Sequence, residues 1–491
     1  MLLMANNKEQ EQEQEQEQAC VYFLPVYAPG HLISMLEVAK GLLQCNSTSS
    51  NSLSIHILLA QPDNPDKSSL ISSHLQALQA QNLPIHLHPL PFVEPPRQFD
   101  SIEDFVTSHI RLYLPHIKAA LSASPSPVSG LVVDMFASDV ISVANELNIP
   151  FYIYFSSTAT FLSLILHLSS PQGKRDPIDF SEVEEEICIP GLTPIPSKSM
   201  PAPLLDMKSG SYKCFMYHAR RYIEAKGILV NSNIHIETNA VEALAQGVTD
   251  QLAPGTKFPD TYPVGPVISF GKSNMQGHEC LQWLDTQPAK SVLFLCFGSL
   301  GAFDMSQVRQ IAIGLEQSGH RFLWVLRMPT TEFLRGPVDA SLEFLPEGFI
   351  ERTKERGFVW PSWAPQIDIL SHQAIGGFVT HCGWNSILES LWFGVPMIPW
   401  PLYAEQHLNA FMLVNEMHVA VKLEADRKNK GFVSAVDLEQ AIKLLMDPGS
   451  EERSRIRVQV EEMMSACRKA VQRGGVSFVH LQKLAGELGK V

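Results

Sequence analysis

Short β-rich runs alternate with longer amphipathic stretches along nearly the whole chain, and they do so in two series. The first series reads "VYFLPV" (21–26), "SIHILLA" (54–60), "PIHLHPL" (84–90), "GLVVDMF" (130–136), "FYIYF" (151–155) and "GILVNS" (227–232). The second reads "SVLFLCF" (291–297), "RFLWVLR" (321–327), "GFVW" (357–360), "IGGFVT" (375–380) and "PMIPWP" (396–401). Helical patterns such as "HLISMLEVAKGLL" and "SDVISVANEL" lie between the runs. Alternation of this kind predicts an α/β architecture of parallel sheets. The 491 residues are too many for one ordinary core and suit two domains. A proline- and glycine-dense stretch, "APGTKFPDTYPVGPVISFGK", separates the two series. The predicted division is a tail over 1–18, a first domain over 19–252, a linker over 253–272 and a second domain over 273–465. Residues 466–491 are expected to form a C-terminal helix packed back on the first domain. Ligands of doubly wound sheets sit beyond the carboxyl ends of the strands, so two facing domains would enclose a cleft.

Composition removes several classes of function. A net charge of −14 argues against a basic surface for nucleic acid or anionic membrane. Part of that charge lies in "EQEQEQEQEQ" (9–18), a low-complexity tail unable to bury a core. The first residues lack the sustained apolar stretch of a secretory signal. Residues 147–173 contain no Asp, Glu, Lys or Arg, but Pro150 and the Ser156–Thr158 cluster divide them into a strand and a short helix, not a membrane span. The eight cysteines form no CxxC pair, so neither a zinc site nor a disulfide framework is indicated. The expected setting is cytoplasmic, with the sequon at Asn46 idle, and the expected state is a monomer. "GPVISFGKS" (265–273) resembles a phosphate loop, but five residues separate Gly265 from Gly271 and Pro266 removes an N–H the loop would need. No Asp-x-Asp pair occurs, so no divalent-metal site is expected and no cofactor is predicted.

The segment "THCGWNSILE" (380–389) stands where a strand should become a helix. N–H groups at a helix N-terminus are unpaired and carry partial positive charge, which suits a phosphate. Gly383 permits close backbone approach, and His381, Asn385 and Ser386 add side-chain donors. Glu389, one turn on, could accept from a diol such as ribose, while Trp384 could serve in packing. An Asn/Ser helix cap beside a buried histidine is the competing reading. Upstream, "WAPQ" (363–366) offers an indole for a flat base and an amide for a sugar hydroxyl. Downstream, "PWPLYAEQ" (399–406) ends in the carboxylate and amide that hexose hydroxyls need.

The 44 residues from Trp363 to Gln406 resemble, nearly throughout, the plant secondary-product glycosyltransferase signature of the family-one UDP-glycosyltransferases. The resemblance extends from about Ala19 to the C-terminus. It implies two Rossmann-like domains of GT-B type and UDP-glucose as co-substrate. It implies that Trp363 stacks on uracil, the Ala364 backbone bonds the base, and Gln366 and Glu389 hold the ribose. His381, Asn385 and Ser386, with Ser299 from "FGS" (297–299), would hold the diphosphate. Glu405 and Gln406 would bind the hexose, with Tyr403 in the same loop counted among the donor-binding residues. A terminal Gln is similar to glucose-using members, whereas galactose users tend to carry His there.

Transfer to a hydroxyl requires a base near neutral pKa, oriented by a carboxylate. His31 follows the first strand at the start of a helix whose N-terminus disfavours imidazolium. Asp134 ends the strand "GLVVDMF", so in a parallel sheet both side chains would reach one crevice. Asp139 reads as first-turn helix charge. The resemblance favours the His31–Asp134 pair, since family members place the base in a "GH" after the first strand and its partner in a "VVD" strand. It implies an inverting, metal-independent displacement giving a β-glucoside. Ser156 would touch the hexose 6-hydroxyl, with an ordinary Ser-rich turn as the alternative. Two departures stand out. "PVYAPGH" (25–31) replaces the more usual Pro-x-Pro-Gly-x-Gly-His, and "RGGVS" (473–477) replaces Gly-Gly-Ser-Ser.

The acceptor is less legible. Phe92, Phe155, Phe161 and Phe180 are pocket candidates that could equally be core. A flavonoid or related phenolic ranks first and a triterpenoid second, with carbon–carbon glucosylation open. A dinucleotide-dependent oxidoreductase is a different class of reading, weakened because no GxGxxG follows the first strand. A catalytically silent UDP-sugar binder is a third, weakened because His31 and Asp134 are both retained.

Overall fold

A computed structural model describes residues 19–46, 53–60, 68–81, 83–171, 173, 175–246, 258–270, 277–329, 338–339, 342–429 and 431–489. The Glu/Gln tail, most of the sequon, residues 253–257 and the "GKS" end of the phosphate-loop look-alike lie outside these. The first half supplies β1 (Ala19–Leu24), β2 (Leu53–Leu59), β3 (Ile85–Pro89), β4 (Val128–Asp134) and β5 (Phe151–Phe155). A hairpin of β6 (Glu186–Ile187) and β7 (Ile195–Pro196) stands apart, followed by β8 (Gly227–Val230) and β9 (Asp260–Pro263). Seven of these strands form one parallel sheet in the order β3-β2-β1-β4-β5-β8-β9.

The second half supplies β10 (Val292–Cys296), β11 (Arg321–Val325), the small pair β12 (Arg327–Met328) and β13 (Val338–Asp339), β14 (Gly357–Trp360), β15 (Ile375–Thr380) and β16 (Met397–Pro399). Its parallel sheet runs β14-β11-β10-β15-β16. Central strands such as β1, β5, β10 and β15 are buried along their whole length, as expected of sheets covered by helices on both faces. Two doubly wound units therefore stand in one chain.

The linker expectation over 253–272 needs correction, because residues 260–263 are the edge strand of the first sheet. Tyr262 is fully buried there, and Pro263 ends the strand at the sheet's edge, where a missing N–H is tolerated. The boundary at 465/466 also falls inside a helix, Glu451–Ala470. The chain turns instead at Gly474, whose φ of 85° suits glycine, and continues as Val476–Leu488. Ser477 in "RGGVS" donates its hydroxyl to the Gly265 carbonyl, tying this turn to the connection between the sheets.

The C-terminal helix packs beside helix Pro29–Asn46 against one face of the first sheet. Leu484 and Leu488 have no exposure, and a Cβ on Gly130 of β4 would lie 2.3 Å from Leu488 Cδ2. Leu484 and Leu488 therefore complete the core beneath the helix that carries His31. Leu484→Ala is expected to lower stability by about 2–5 kcal/mol, the usual cost of such a cavity. An unchanged denaturation midpoint would show that the helix is not part of that core.

Candidate active site

His31 and Asp134 are brought together by sheet order. β1 and β4 are neighbours, with Leu24 opposite Val133, so the chain leaves both strands at one edge. His31 lies in the first turn of helix Pro29–Asn46, which begins with Pro29 as helices often do. Its Nδ1 is 2.7 Å from Asp134 Oδ2. A carboxylate only accepts, so Nδ1 carries the hydrogen and Nε2 is left as the basic nitrogen. Asp134 is fully buried, and its Oδ1 accepts from the Phe136 amide at 3.0 Å. The His31 side chain keeps 28% of its surface exposed, toward the cleft.

Burial disfavours the His31 cation, but the Asp134 charge and hydrogen bond, with the Glu405 charge, outweigh it and hold the pKa above the usual histidine value. The helix N-terminus therefore does not decide its charge. Ser156 Oγ lies 3.4 Å from His31 Nδ1, and the Phe136 ring lies 5.9 Å from the imidazole. Asp139 is more than helix charge: it accepts from Arg111 at 2.7 Å and from Tyr217.

In the second sheet β10 and β15 are neighbours, and their loops meet in the same way. Gly298 and Ser299 follow β10, and Ser299 is exposed. His381, Cys382 and Gly383 follow β15 and lead into helix Trp384–Phe393. The His381 ring fills a slot that only glycines leave open. A Cβ on Gly298, at φ 72°, would lie 2.5 Å from its Nε2, and one on Gly383 would lie 2.4 Å away. His381 Nδ1 is buried without a hydrogen-bond partner. Burial pushes its pKa down to about 4, so the ring is neutral. Gly383 is the N-cap, and no side chain caps this helix. The Asn/Ser-cap reading is thereby corrected: the first-turn amides remain uncommitted to a cap.

The remaining donor-set residues divide by what they already hold. Trp363 is 48% exposed, with its indole available for stacking, and Ala364 beside it is buried. Gln366 donates to Ser386 Oγ at 2.9 Å and to Glu389 Oε2 at 2.7 Å, joining three residues expected at ribose and phosphate. Burial raises the Glu389 pKa to about 7, against the lowering effect of Gln366. Trp384, by contrast, buries its indole and donates to the Asn231 carbonyl of the first domain at 2.6 Å. Only its backbone is left to a ligand. Asn385 Nδ2 donates to the Gly30 carbonyl at 3.1 Å, next to His31, and its Oδ1 is buried without a partner. Gln406 is 2% exposed, and its Oε1 accepts from the Leu402 and Tyr403 amides at 2.9 Å each. Its carbonyl thus shapes the loop, and only the amide nitrogen remains for a sugar. Tyr403 sits with its ring 6.1 Å from that of His381. Glu405 accepts from Ser157 at 2.8 Å.

Sequence reasoning passed over Ser157 and Gly298. The small residue at the end of β10 and the serine beside Ser156 were the available signals. Phe155, Phe161 and Phe180 are core, whereas Phe92 is exposed. Among the described residues no group of three or more His, Cys, Asp or Glu is placed to hold a metal ion, and no helix is long and apolar enough to cross a membrane.

Comparison with known proteins agrees with this geometry. Residues 258–457 match the family described as UDP-glucoronosyl and UDP-glucosyl transferase. The chain is 44% identical to malvidin galactosylase UGT88C3 of Oryza sativa subsp. japonica, over 95% of this chain and 97% of that one. It is 38% identical to the anthocyanidin 5,3-O-glucosyltransferase of a Rosa hybrid cultivar, over 95% and 98%. Among solved structures, Medicago truncatula UGT71G1 complexed with UDP-glucose superposes with a TM-score of 0.84 at 36% identity, covering 97% of this chain and 99% of that one. Phytolacca americana UGT2 complexed with UDP-2fluoro-glucose and pterostilbene gives 0.82 at 35%, covering 96% and 100%. With the His31–Asp134 pair at one edge of the cleft and an uncapped helix N-terminus at the other, the chain belongs to the plant family-one UDP-glycosyltransferases, enzymes of the GT-B fold.

Proposed function

We propose that the enzyme transfers glucose from UDP-glucose to a hydroxyl of a flavonoid or other small phenolic, with inversion to a β-glucoside and without a metal ion. The observation that carries this reading is the 2.7 Å His31–Asp134 bond, with Nε2 left free on a residue that keeps exposure to the cleft. In the proposed step His31 Nε2 takes the acceptor proton as the hydroxyl oxygen attacks the anomeric carbon. The bond from that carbon to the UDP oxygen breaks, and UDP leaves. Asp134 stabilises the imidazolium formed. First-turn amides of helix Trp384–Phe393, with Ser299 and the neutral His381, meet the diphosphate charge, a role suited to a helix N-terminus without a cap. Trp363 takes the uracil, the Gln366–Glu389 pair the ribose, and Glu405 with the Gln406 amide the hexose. Ser156, at the base, meets the 6-hydroxyl.

The acceptor reading rests on the named activities of the rose relative and of the Arabidopsis thaliana flavonol 3-O-glucosyltransferase UGT71C4, 38% identical to this chain. Phe136 beside His31 adds an aromatic surface suited to a flat ring. Gln406 supports glucose as the sugar. The 44% identical galactosylase makes UDP-galactose the sugar to compare it with. The enzyme acts in the cytosol, a reading supported by eight free cysteines.

Acceptor-dependent UDP release from UDP-glucose, set beside UDP-galactose and across flavonoids, simple phenols and triterpenoid alcohols, tests this reading. His31→Ala is expected to cut turnover by about 10²–10⁴-fold while calorimetric UDP binding survives. Unchanged turnover would remove His31 as the base. Since the base must be neutral and its pKa lies above the ordinary value, kcat/KM should rise with pH through that raised pKa. Asp134→Asn removes the charge that raises it, so burial then dominates and the acidic limb should move to lower pH as kcat falls. A limb that stays in place would dissociate Asp134 from the titration. Addition of a chelator should leave the rate unchanged, and a large loss would require a metal in the reaction.

A further inference from the structure

Glu405 stands in the second domain, but the group that holds its carboxylate belongs to the first. Ser157 Oγ donates to Glu405 Oε1 at 2.8 Å. Ser157 is only 6% exposed and sits on rigid backbone. It follows β5, and the next residue, Thr158, caps helix Ala159–Ser169 by accepting from the Phe161 amide at 2.9 Å. Glu237, itself buried, accepts from the Ala159 and Thr160 amides at 2.8 and 2.9 Å and anchors that helix start from a third element. The serine hydroxyl is therefore a fixed donor.

One further bond holds the same loop from the same side. The Ala202 amide donates to the Ala404 carbonyl at 2.8 Å. Ala404 has φ 51°, a left-handed conformation costly for a residue with a Cβ and maintained only where its surroundings hold it. Nearby, Arg427 donates to the Lys198 and Met200 carbonyls at 2.8 Å, joining the two domains on this flank. By contrast, Gln366 bonds both Ser386 and Glu389 within the second domain.

We propose that the sugar end of the donor site is built across both domains, with Ser157 as the positioning residue that presents Glu405 to the hexose, whereas the UDP end is made of second-domain residues, of which Trp384 and Asn385 bond the first domain. This rests on the reading of Glu405 as a hexose ligand. With one oxygen held by Ser157, the other Glu405 oxygen has a fixed direction from which to accept a sugar hydroxyl. The hexose is then recognised fully only with the two domains closed on each other, while UDP alone does not depend on Ser157.

Ser157→Ala, and the pair Ser157→Thr and Ser157→Val, which differ in shape little but in the hydroxyl, test this. Ser157→Ala and Ser157→Val should raise the KM for UDP-glucose about 10-fold, the scale of one hydrogen bond to a charged group. They should also narrow the preference between UDP-glucose and UDP-galactose. Their calorimetric Kd for UDP should stay within about twofold of wild type, and Ser157→Thr should restore the KM. An unchanged KM in Ser157→Val, or equal weakening of UDP and UDP-glucose, would overturn the proposal. If Glu405→Gln leaves the UDP-glucose KM at the wild-type value, the hexose role of Glu405 fails first and takes the proposal with it.

Discussion

A parallel strand delivers its side chains to the loop at its carboxyl end, and neighbouring parallel strands deliver theirs to the same edge. The rest of the structure depends on this constraint, used twice. In the first sheet it sets the end of β4 beside the exit of β1, so that a fully buried carboxylate, Asp134, meets His31 from a different part of the chain. A charge without solvent needs partners, and Asp134 has the imidazole on one oxygen and the Phe136 amide on the other. In the second sheet the exits of β10 and β15 converge likewise, and the glycines of both loops make the slot for His381.

The two histidines show how environment assigns opposite roles to one residue type. Both lie near a helix start in the cleft. His31 has a carboxylate on Nδ1 and a second nearby, and its pKa is raised. His381 has burial alone, and its pKa falls to about 4. A ring that stays neutral can donate to a phosphate without taking the proton that the reaction must move elsewhere. One that gains a proton easily beside Asp134 is suited to receive it.

Much of this was legible because parallel strands buried on both faces read as continuous apolar runs. "FYIYF" and "IGGFVT" have the same bounds in sequence and structure. Asp260–Pro263 escaped because proline and glycine density reads as linker, whereas an edge strand tolerates a proline that a central strand would not. The C-terminal boundary missed because the polar helix Glu451–Ala470 has no composition change at residue 465. Within the site, residue type was informative about donors and acceptors but silent about which were already engaged. Trp384 spends its indole on Asn231, and Gln406 spends its carbonyl on its own loop. No local pattern reveals either bond, since one partner is a distant backbone atom and the other depends on the loop's path.

What the sequence determined by itself was the inventory: two series of strands, a glycine-bearing turn into a helix, and a histidine and an aspartate at strand exits. These are local, set by period, turn chemistry and the signature from Trp363 to Gln406. Tertiary structure alone decided the junction between the halves. Asn385 on Gly30, Trp384 on Asn231, and Ser157 on Glu405 each join residues more than a hundred positions apart. Such contacts follow from how two domains settle against each other, and that packing is a property of complementary surfaces, not of any stretch of chain short enough to read.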